Sequence, residues 1–157
     1  EKVREFDIEP RIAMLSFSNF GSTKHPLAEK VARAVELIKK SAPGLMVDGE
    51  MQADTAVSAE IVSEHYPFCG LKEGANVLIC PDLTSANIAY KLLSHLGGAT
   101  AIGPMLLGIR KPVYLLIPGN EVSDIVNIAA LAVCEVQQIE GKPASATLKF
   151  LKELHAH

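Results

Sequence analysis

Three short apolar runs constrain this chain most: Ile12-Ala13-Met14-Leu15, Leu45-Met46-Val47 and Ala75-Asn76-Val77-Leu78-Ile79-Cys80. None shows the strict apolar–polar alternation of a half-exposed strand, so each reads as a buried strand. Each gives way to a polar or turn-forming segment and then to a helical pattern. After Ser16–Lys24, Pro26 suits a first helical turn, and Leu27, Val31, Ala34, Val35 and Ile38 recur at helical spacing until Pro43-Gly44. Ala53 to Val62 reads as a second helix and His65 to Gly74 as a loop. Pro81 ends the third run, and Thr84 or Ser85 is placed to cap a helix whose stripe is Ile88, Leu92 and Leu96. Gly97-Gly98 closes it.

Beyond that point, Pro104–Ile109 and Val113–Ile117 are strand-like. Ser123 is expected to cap a nearly all-apolar helix, Ile125–Val136, of the kind buried between layers or in an interface. Ala144–Leu154 reads as a short amphipathic helix after Pro143. The order predicts an α/β fold with a mainly parallel sheet and helices on both faces. Ligands of such folds bind beyond the carboxyl ends of the strands. The loops to watch are therefore Ser16–Lys24, Asp48–Asp54, Pro81–Asn87 and Pro118–Asp124.

Composition removes several classes. The 157 residues are 48% hydrophobic and 21% charged, which excludes a disordered tail. A net charge of −3 with thinly spread Lys and Arg argues against nucleic acid as a partner. The longest apolar stretch, Ile125–Val136, is shorter than the roughly 20 residues of a membrane span and carries Asn127 and Glu135. The charged start, Glu1-Lys2-Val3-Arg4-Glu5, is no signal peptide. Beginning at Glu1 rather than Met, the chain is expected to be processed or a piece of something longer. Cys69, Cys80 and Cys134 are odd in number and widely spaced, so neither a disulfide framework nor a zinc site is expected, and the localisation reads as cytoplasmic.

The loop Ser16-Phe17-Ser18-Asn19-Phe20-Gly21-Ser22 offers hydroxyls, an amide and backbone N–H groups ahead of a helix. That chemistry suits phosphate or pyrophosphate, although neither GxxxxGK[ST] nor GxGxxG is present. Ordinary turn and capping chemistry accounts for the same residues. Asp48, Glu50 and Asp54 could bind a metal or move a proton; a solvated, helix-capping acidic loop is the alternative. Asn87 and Lys91 share a helix face and could hold a phosphate or an amide-bearing arm, or simply face solvent.

Four segments together resemble the phosphate acetyltransferase (phosphotransacetylase) family: SFSNFGS at Ser16–Ser22, DGEMQADTA at Asp48–Ala56, the run from Ala75 to Val113, and DIVNIAALAV at Asp124–Val133. The resemblance runs from about Ile12 to Gln138 and covers roughly the second half of that family's unit. It implies an isocitrate/isopropylmalate dehydrogenase-like α/β fold, with residues 1–103 as an inserted subdomain, 104–141 returning to the first subdomain and 142–157 as a C-terminal helical extension. Gly103-Pro104 would mark the crossing. The family includes enzymes that exchange acetyl between coenzyme A and phosphate. It also includes the C-terminal phosphotransacetylase-like domain of NADP-dependent malic enzymes, which resembles them but is taken to bind acetyl-CoA and regulate.

Two departures favour the second kind. Catalytic members read DLSRG after the KPV strand, where this chain reads Leu115-Leu116-Ile117-Pro118-Gly119. Pro118 thus replaces an Arg that would grip phosphate, a contact of the kind worth about 10²–10³ in rate. SNFGS at Ser18–Ser22 also resembles the malic enzyme version rather than STKGS. The resemblance places Ser16, Ser18, Asn19 and Ser22 on an acyl-CoA or phosphate cleft, and Asn87, Tyr90 and Lys91 on its other wall. Asp124 matches the family's catalytic acid and is expected to be vestigial. The resulting expectation is a catalytically degenerate regulatory domain that binds acetyl-CoA and supports a homo-oligomer. It would have no cofactor or metal of its own; NADP and a divalent metal would belong to the parent chain. The rival expectations are an active phosphate acetyltransferase and a ligand-free dimerisation scaffold.

Overall fold

The computed structural model describes residues 2–109, 111–142, 147 and 149. The expected helix at Ala144–Leu154 falls mostly outside them. The chain divides into two compact units, residues 9–98 and residues 1–8 with 99–157.

In the first unit, the strands β1 (Ile12–Leu15), β2 (Val47–Met51) and β3 (Val77–Ile79) form one sheet in the order β2-β1-β3. Both pairings are parallel, with Ile12 opposite Val47 on one side and Val77 on the other. The helix α1 (Pro26–Ser41) joins β1 to β2 and buries Ala28, Val31 and Val35, the stripe its spacing predicts. Pro26 stands at its start, and the His25 ring accepts the Leu27 N–H at 3.2 Å. The core gathers Ala13, Met51, Ala56, Val62, Cys69 and Leu71, with Phe20 and Tyr66 packed on it.

Two expectations change here. The second strand begins at Val47 and runs through Asp48 and Glu50, rather than ending before them. An apolar-run rule stops at Val47 because carboxylates are costly to bury. Here both are buried and both have partners. The helix expected over Ala53–Val62 is also broken into α2 (Ala53–Val57) and α3 (Ala59–His65). Ser58 stands between them, and its hydroxyl accepts the Ile61 N–H at 3.1 Å. A side chain that can cap competes with continuing the helix.

The helix α4 (Leu83–His95) follows β3 and is capped by Asp82 rather than Thr84 or Ser85. None of its residues is buried, and Leu83, Ile88, Leu92, Leu93 and Leu96 are all exposed.

In the second unit, the helix α5 (Val122–Ile139) buries Asn127, Ile128, Ala130, Leu131 and Cys134. Phe6, Ile102, Met105 and Tyr114 pack on that face. By length and composition alone the helix could also cross a membrane. Glu121 caps it, not Ser123, and Asp124 completes a capping box. The two strands expected at 104–109 and 113–117 reduce to a single antiparallel bridge, Met105 to Tyr114. A lone pair of strands is marginal without further partners, and Leu106, Leu107, Leu115, Leu116 and Ile117 are exposed. Residues 2–8 are tied to α5: Lys2 bridges Glu5 at 2.8 Å and Glu135 at 2.6 Å, and the Gln138 side chain donates to the Glu5 carbonyl at 2.5 Å. The Tyr114 hydroxyl donates to Glu135 at 2.6 Å. Burial and that bond push its pKa up to about 12.

Candidate functional site

The chain passes from β1 outward to β2, then back across to β3 on the other side of β1. The gap between the carboxyl ends of β1 and β3 is therefore a topological switch point, where open parallel sheets hold ligands. A cleft of about 410 Å³ lies there, within the range of small-molecule sites. The end of β1 and its loop supply Leu15, Ser16 and Phe17, and α1 supplies Leu27 and Lys30. The turn after β3 supplies Cys80, Pro81 and Asp82, and α4 supplies Ser85 and Ala89. The walls are mainly apolar, with two hydroxyls, one carboxylate and one ammonium. Lys30 Nζ, the one cation among the described residues of the lining, donates to the Pro81 carbonyl at 2.8 Å.

The 16–22 loop does not present an open phosphate cradle. The Ser18 hydroxyl donates to Glu50 Oε1 at 2.8 Å, and the Gly21 N–H donates to the same oxygen at 2.6 Å. The Thr23 N–H reaches Ser18 Oγ at 3.1 Å. Asn19 Oδ1 accepts the Gln52 N–H at 2.7 Å, and Ser22 Oγ accepts the Asn19 N–H at 3.0 Å. Two of the loop's donors, the Ser18 hydroxyl and the Gly21 N–H, are thus already turned on the protein's own carboxylate. The same holds at the start of α4, where Asp82 Oδ1 accepts the Ser85 N–H at 2.8 Å and the Ser85 hydroxyl at 2.9 Å. These bonds hold the Asp82 carboxyl below the usual carboxylate range.

The acidic trio is dispersed rather than pooled. Burial raises the Asp48 pKa, but Lys39 Nζ at 2.7 Å and the N–H groups of Gly70 and Gly49 outweigh it, so the net shift is downward. Glu50 binds the loop, and Asp54 accepts the Thr55 N–H at 2.8 Å. Among the described residues no group of three or more His, Cys, Asp or Glu is placed to hold a metal. Asp48 and Glu50 are not the solvated loop that the sequence also allowed.

Of the residues assigned to the cleft, Ser16 lines it. Ser18 is fully buried beneath the loop, and Asn19 and Ser22 brace it. Asn87, Tyr90 and Lys91 are exposed and line none of it. The cleft meets α4 at Ser85 and Ala89; Asn87 is two residues from each, which turns it to the opposite side of the helix. Lys91 instead sits over the Tyr90 ring, 5.3 Å from its centroid. Asp124 lies in the other unit. Its Oδ2 accepts from Asn120 Nδ2 at 3.0 Å and from the Glu121 N–H at 2.9 Å, and these bonds lower its pKa.

Sequence reasoning missed Glu50 as the loop's anchor and Lys30 as a wall of the cleft. Lys30 lies one turn after Leu27, which lines the same cleft, so helical spacing could have found it. Glu50 gave no comparable signal.

The parallel unit with its switch-point cleft defines a partial α/β domain. Its family model is that of the phosphate acetyl/butaryl transferases, matching residues 1–133, and the chain belongs to that family. It is 48% identical over 139 residues to the NADP-dependent malic enzyme of Escherichia coli strain K12, spanning 87% of this chain and 18% of that protein. It is 43% identical over 132 residues to the phosphate acetyltransferase of Clostridium acetobutylicum, spanning 84% of this chain and 40% of that protein. Among solved structures, a phosphotransacetylase from Streptococcus pyogenes matches with a TM-score of 0.79 and 42% identity, over 88% of this chain and 42% of that one. The chain therefore spans less than half the length of each of these relatives.

Proposed function

We propose that this chain is the phosphotransacetylase-like part of an NADP-dependent malic enzyme, that it binds acetyl-CoA as an effector, and that it transfers no acetyl group itself. The observation that carries this reading is that the chain's own carboxylates fill its anion seats. Glu50 takes the Ser18 hydroxyl and the Gly21 N–H of the 16–22 loop, and Asp82 takes the Ser85 N–H in the first turn of α4. Transfer to phosphate needs a seat for phosphate. A mainly apolar cleft with scattered hydroxyls and Lys30 suits an acyl thioester on its amide-bearing arm. Pro118 stands where the family resemblance implies an Arg, and it offers no side-chain donor. Asp124 is engaged in the capping box of α5, where it accepts the Glu121 N–H. In this reading the parent enzyme is a cytoplasmic homo-oligomer, and NADP and a divalent metal act elsewhere in it. The 48% identity to a malic enzyme supports the parentage.

The competing reading, an active phosphate acetyltransferase, draws on the family match and on the 43% identity to the Clostridium acetobutylicum enzyme. Calorimetric titration with acetyl-CoA separates the readings. Saturable binding without acetyl phosphate formation in the presence of phosphate is expected. Turnover to acetyl phosphate overturns the choice, and no binding leaves only the scaffold. In the full malic enzyme, acetyl-CoA is expected to alter the rate of malate oxidation.

A further inference from the structure

We propose that Glu50 is the positioning residue of the cleft: its buried carboxylate fills an anion seat within the protein and so fixes how Ser16 and Phe17 meet the ligand. The inference rests on the acyl-CoA reading above.

The seat is built by the loop. Phe20 and Gly21 both take left-handed backbone angles, with φ of 48° and 83°. A turn of this kind frees backbone N–H groups to point at an anion. The Phe20 N–H meets the Glu50 carbonyl at 2.8 Å and the Gly21 N–H meets Oε1 at 2.6 Å. The Ser18 hydroxyl closes the seat at 2.8 Å, oriented by the N–H that it accepts from Thr23. Glu50 is 3% exposed and Ser18 0%. Hydrogen bonds to a charged acceptor are the strong class. Without the carboxylate, the Gly21 N–H would lose its acceptor, and the buried Ser18 hydroxyl would be left only the longer contact to Ser22 Oγ at 3.3 Å.

The consequence reaches the cleft through two short steps of backbone. Ser16 and Phe17 line the cleft and directly precede Ser18. The Ser16 N–H is tied to the Met51 carbonyl at 2.8 Å and the Phe17 carbonyl to Gln52 Nε2 at 2.7 Å, so the strand of Glu50 grips the loop on both sides. A non-glycine residue at positive φ persists only where its surroundings hold it. Glu50 holds Phe20 by its main chain and Gly21 by its side chain.

The test is Glu50→Ala, read by acetyl-CoA affinity and by thermal midpoint, each with and without sodium formate against sodium chloride. The substitution is expected to weaken acetyl-CoA binding by about tenfold or more. Formate, a free carboxylate, is expected to raise the midpoint of the variant saturably, to restore most of the affinity, and to leave the unsubstituted protein unchanged. A purely structural defect would respond no better to formate than to chloride, and that result overturns the proposal. So does unchanged affinity in E50A. If E50A does not fold, the near-isosteric Glu50→Gln and the milder Ser18→Ala decide. Each is expected to weaken binding by about threefold or more, and unchanged binding in both overturns the assignment. No acetyl-CoA binding by the unsubstituted protein sinks the reading of the cleft instead, and with it the positioning role; formate rescue of the E50A midpoint then still establishes the seat.

Discussion

Gly49 lies in β2 between the two buried carboxylates, and replacing it with alanine tests the pairing that carries them both. A Cβ there would stand 2.6 Å from the Met14 carbonyl oxygen and 3.1 Å from Met14 Cβ. Its φ of +139° adds a backbone conformation that side chains rarely accept. The opposing oxygen is main chain in the central strand, so relief requires β1 and β2 to part where Met14 faces Gly49. The backbone strain is about 1–3 kcal/mol and the crowding a similar amount, together about 2–6 kcal/mol. That is a large part of the ~5–15 kcal/mol that holds a typical domain. Gly21 shares the positive φ, at +83°, but has nothing within 4 Å. Gly21→Ala should lose only the backbone contribution, about 1–2 kcal/mol. Gly44 has neither feature, so Gly44→Ala should be neutral or stabilise by up to about 1 kcal/mol through the unfolded state. Urea titrations of the three variants at pH 7, followed by far-UV circular dichroism, give the order directly. If G49A unfolds no earlier than G44A, the argument from the close approach is wrong.

Asp48→Asn should destabilise the protein by about 1–3 kcal/mol at pH 7. The Asp48 pKa is lowered on folding, so its contribution is present above the ordinary carboxylate pKa and is lost as pH falls through the folded value. The gap between parent and variant should therefore narrow in urea titrations repeated near pH 3, and a constant gap counts against the Lys39 pairing. Met51→Ala, at a fully buried core position, should cost about 2–5 kcal/mol and be visible as a lower unfolding midpoint. Ser58→Ala removes the acceptor for the Ile61 N–H and should cost about 1 kcal/mol. Faster hydrogen exchange at Ile61, with little change elsewhere, is the expected signature.

The parallel architecture was readable because it follows from chain-local signals. Val31 and Val35 recur at helical spacing and are buried, and Ile12 begins a strand that ends in a polar loop, as found. Glu50 was not readable, because what permits its burial is a hydroxyl thirty-two residues away in sequence. Asp82 and Ser58 show a second limit. Several residues near each helix start could serve as the cap, and only the backbone angle selects one. The strands expected at 104–109 and 113–117 carry a sound β signal, but a ladder needs neighbours, and hydropathy does not say whether they are present. The cleft itself followed from strand order. Of the residues that family likeness suggested for a ligand, Ser16 lines this cleft.

The tie between Glu5 and Gln138 spans 133 positions along the chain, and it sets an order of assembly. Residues 9–98 are contiguous and form a compact unit of their own. They can collapse as soon as they leave the ribosome, because each loop they close is comparatively short. Residues 2–8 precede that unit in sequence but gain their ties to Glu135 and Gln138 only once α5 is made. At about 5–20 residues per second, the earlier unit has a lead of seconds over its neighbour, long compared with the folding time of a small mixed α/β domain. During that interval Phe6 lacks its packing against α5, which makes residues 2–8 the place where a chaperone or a premature contact would intervene.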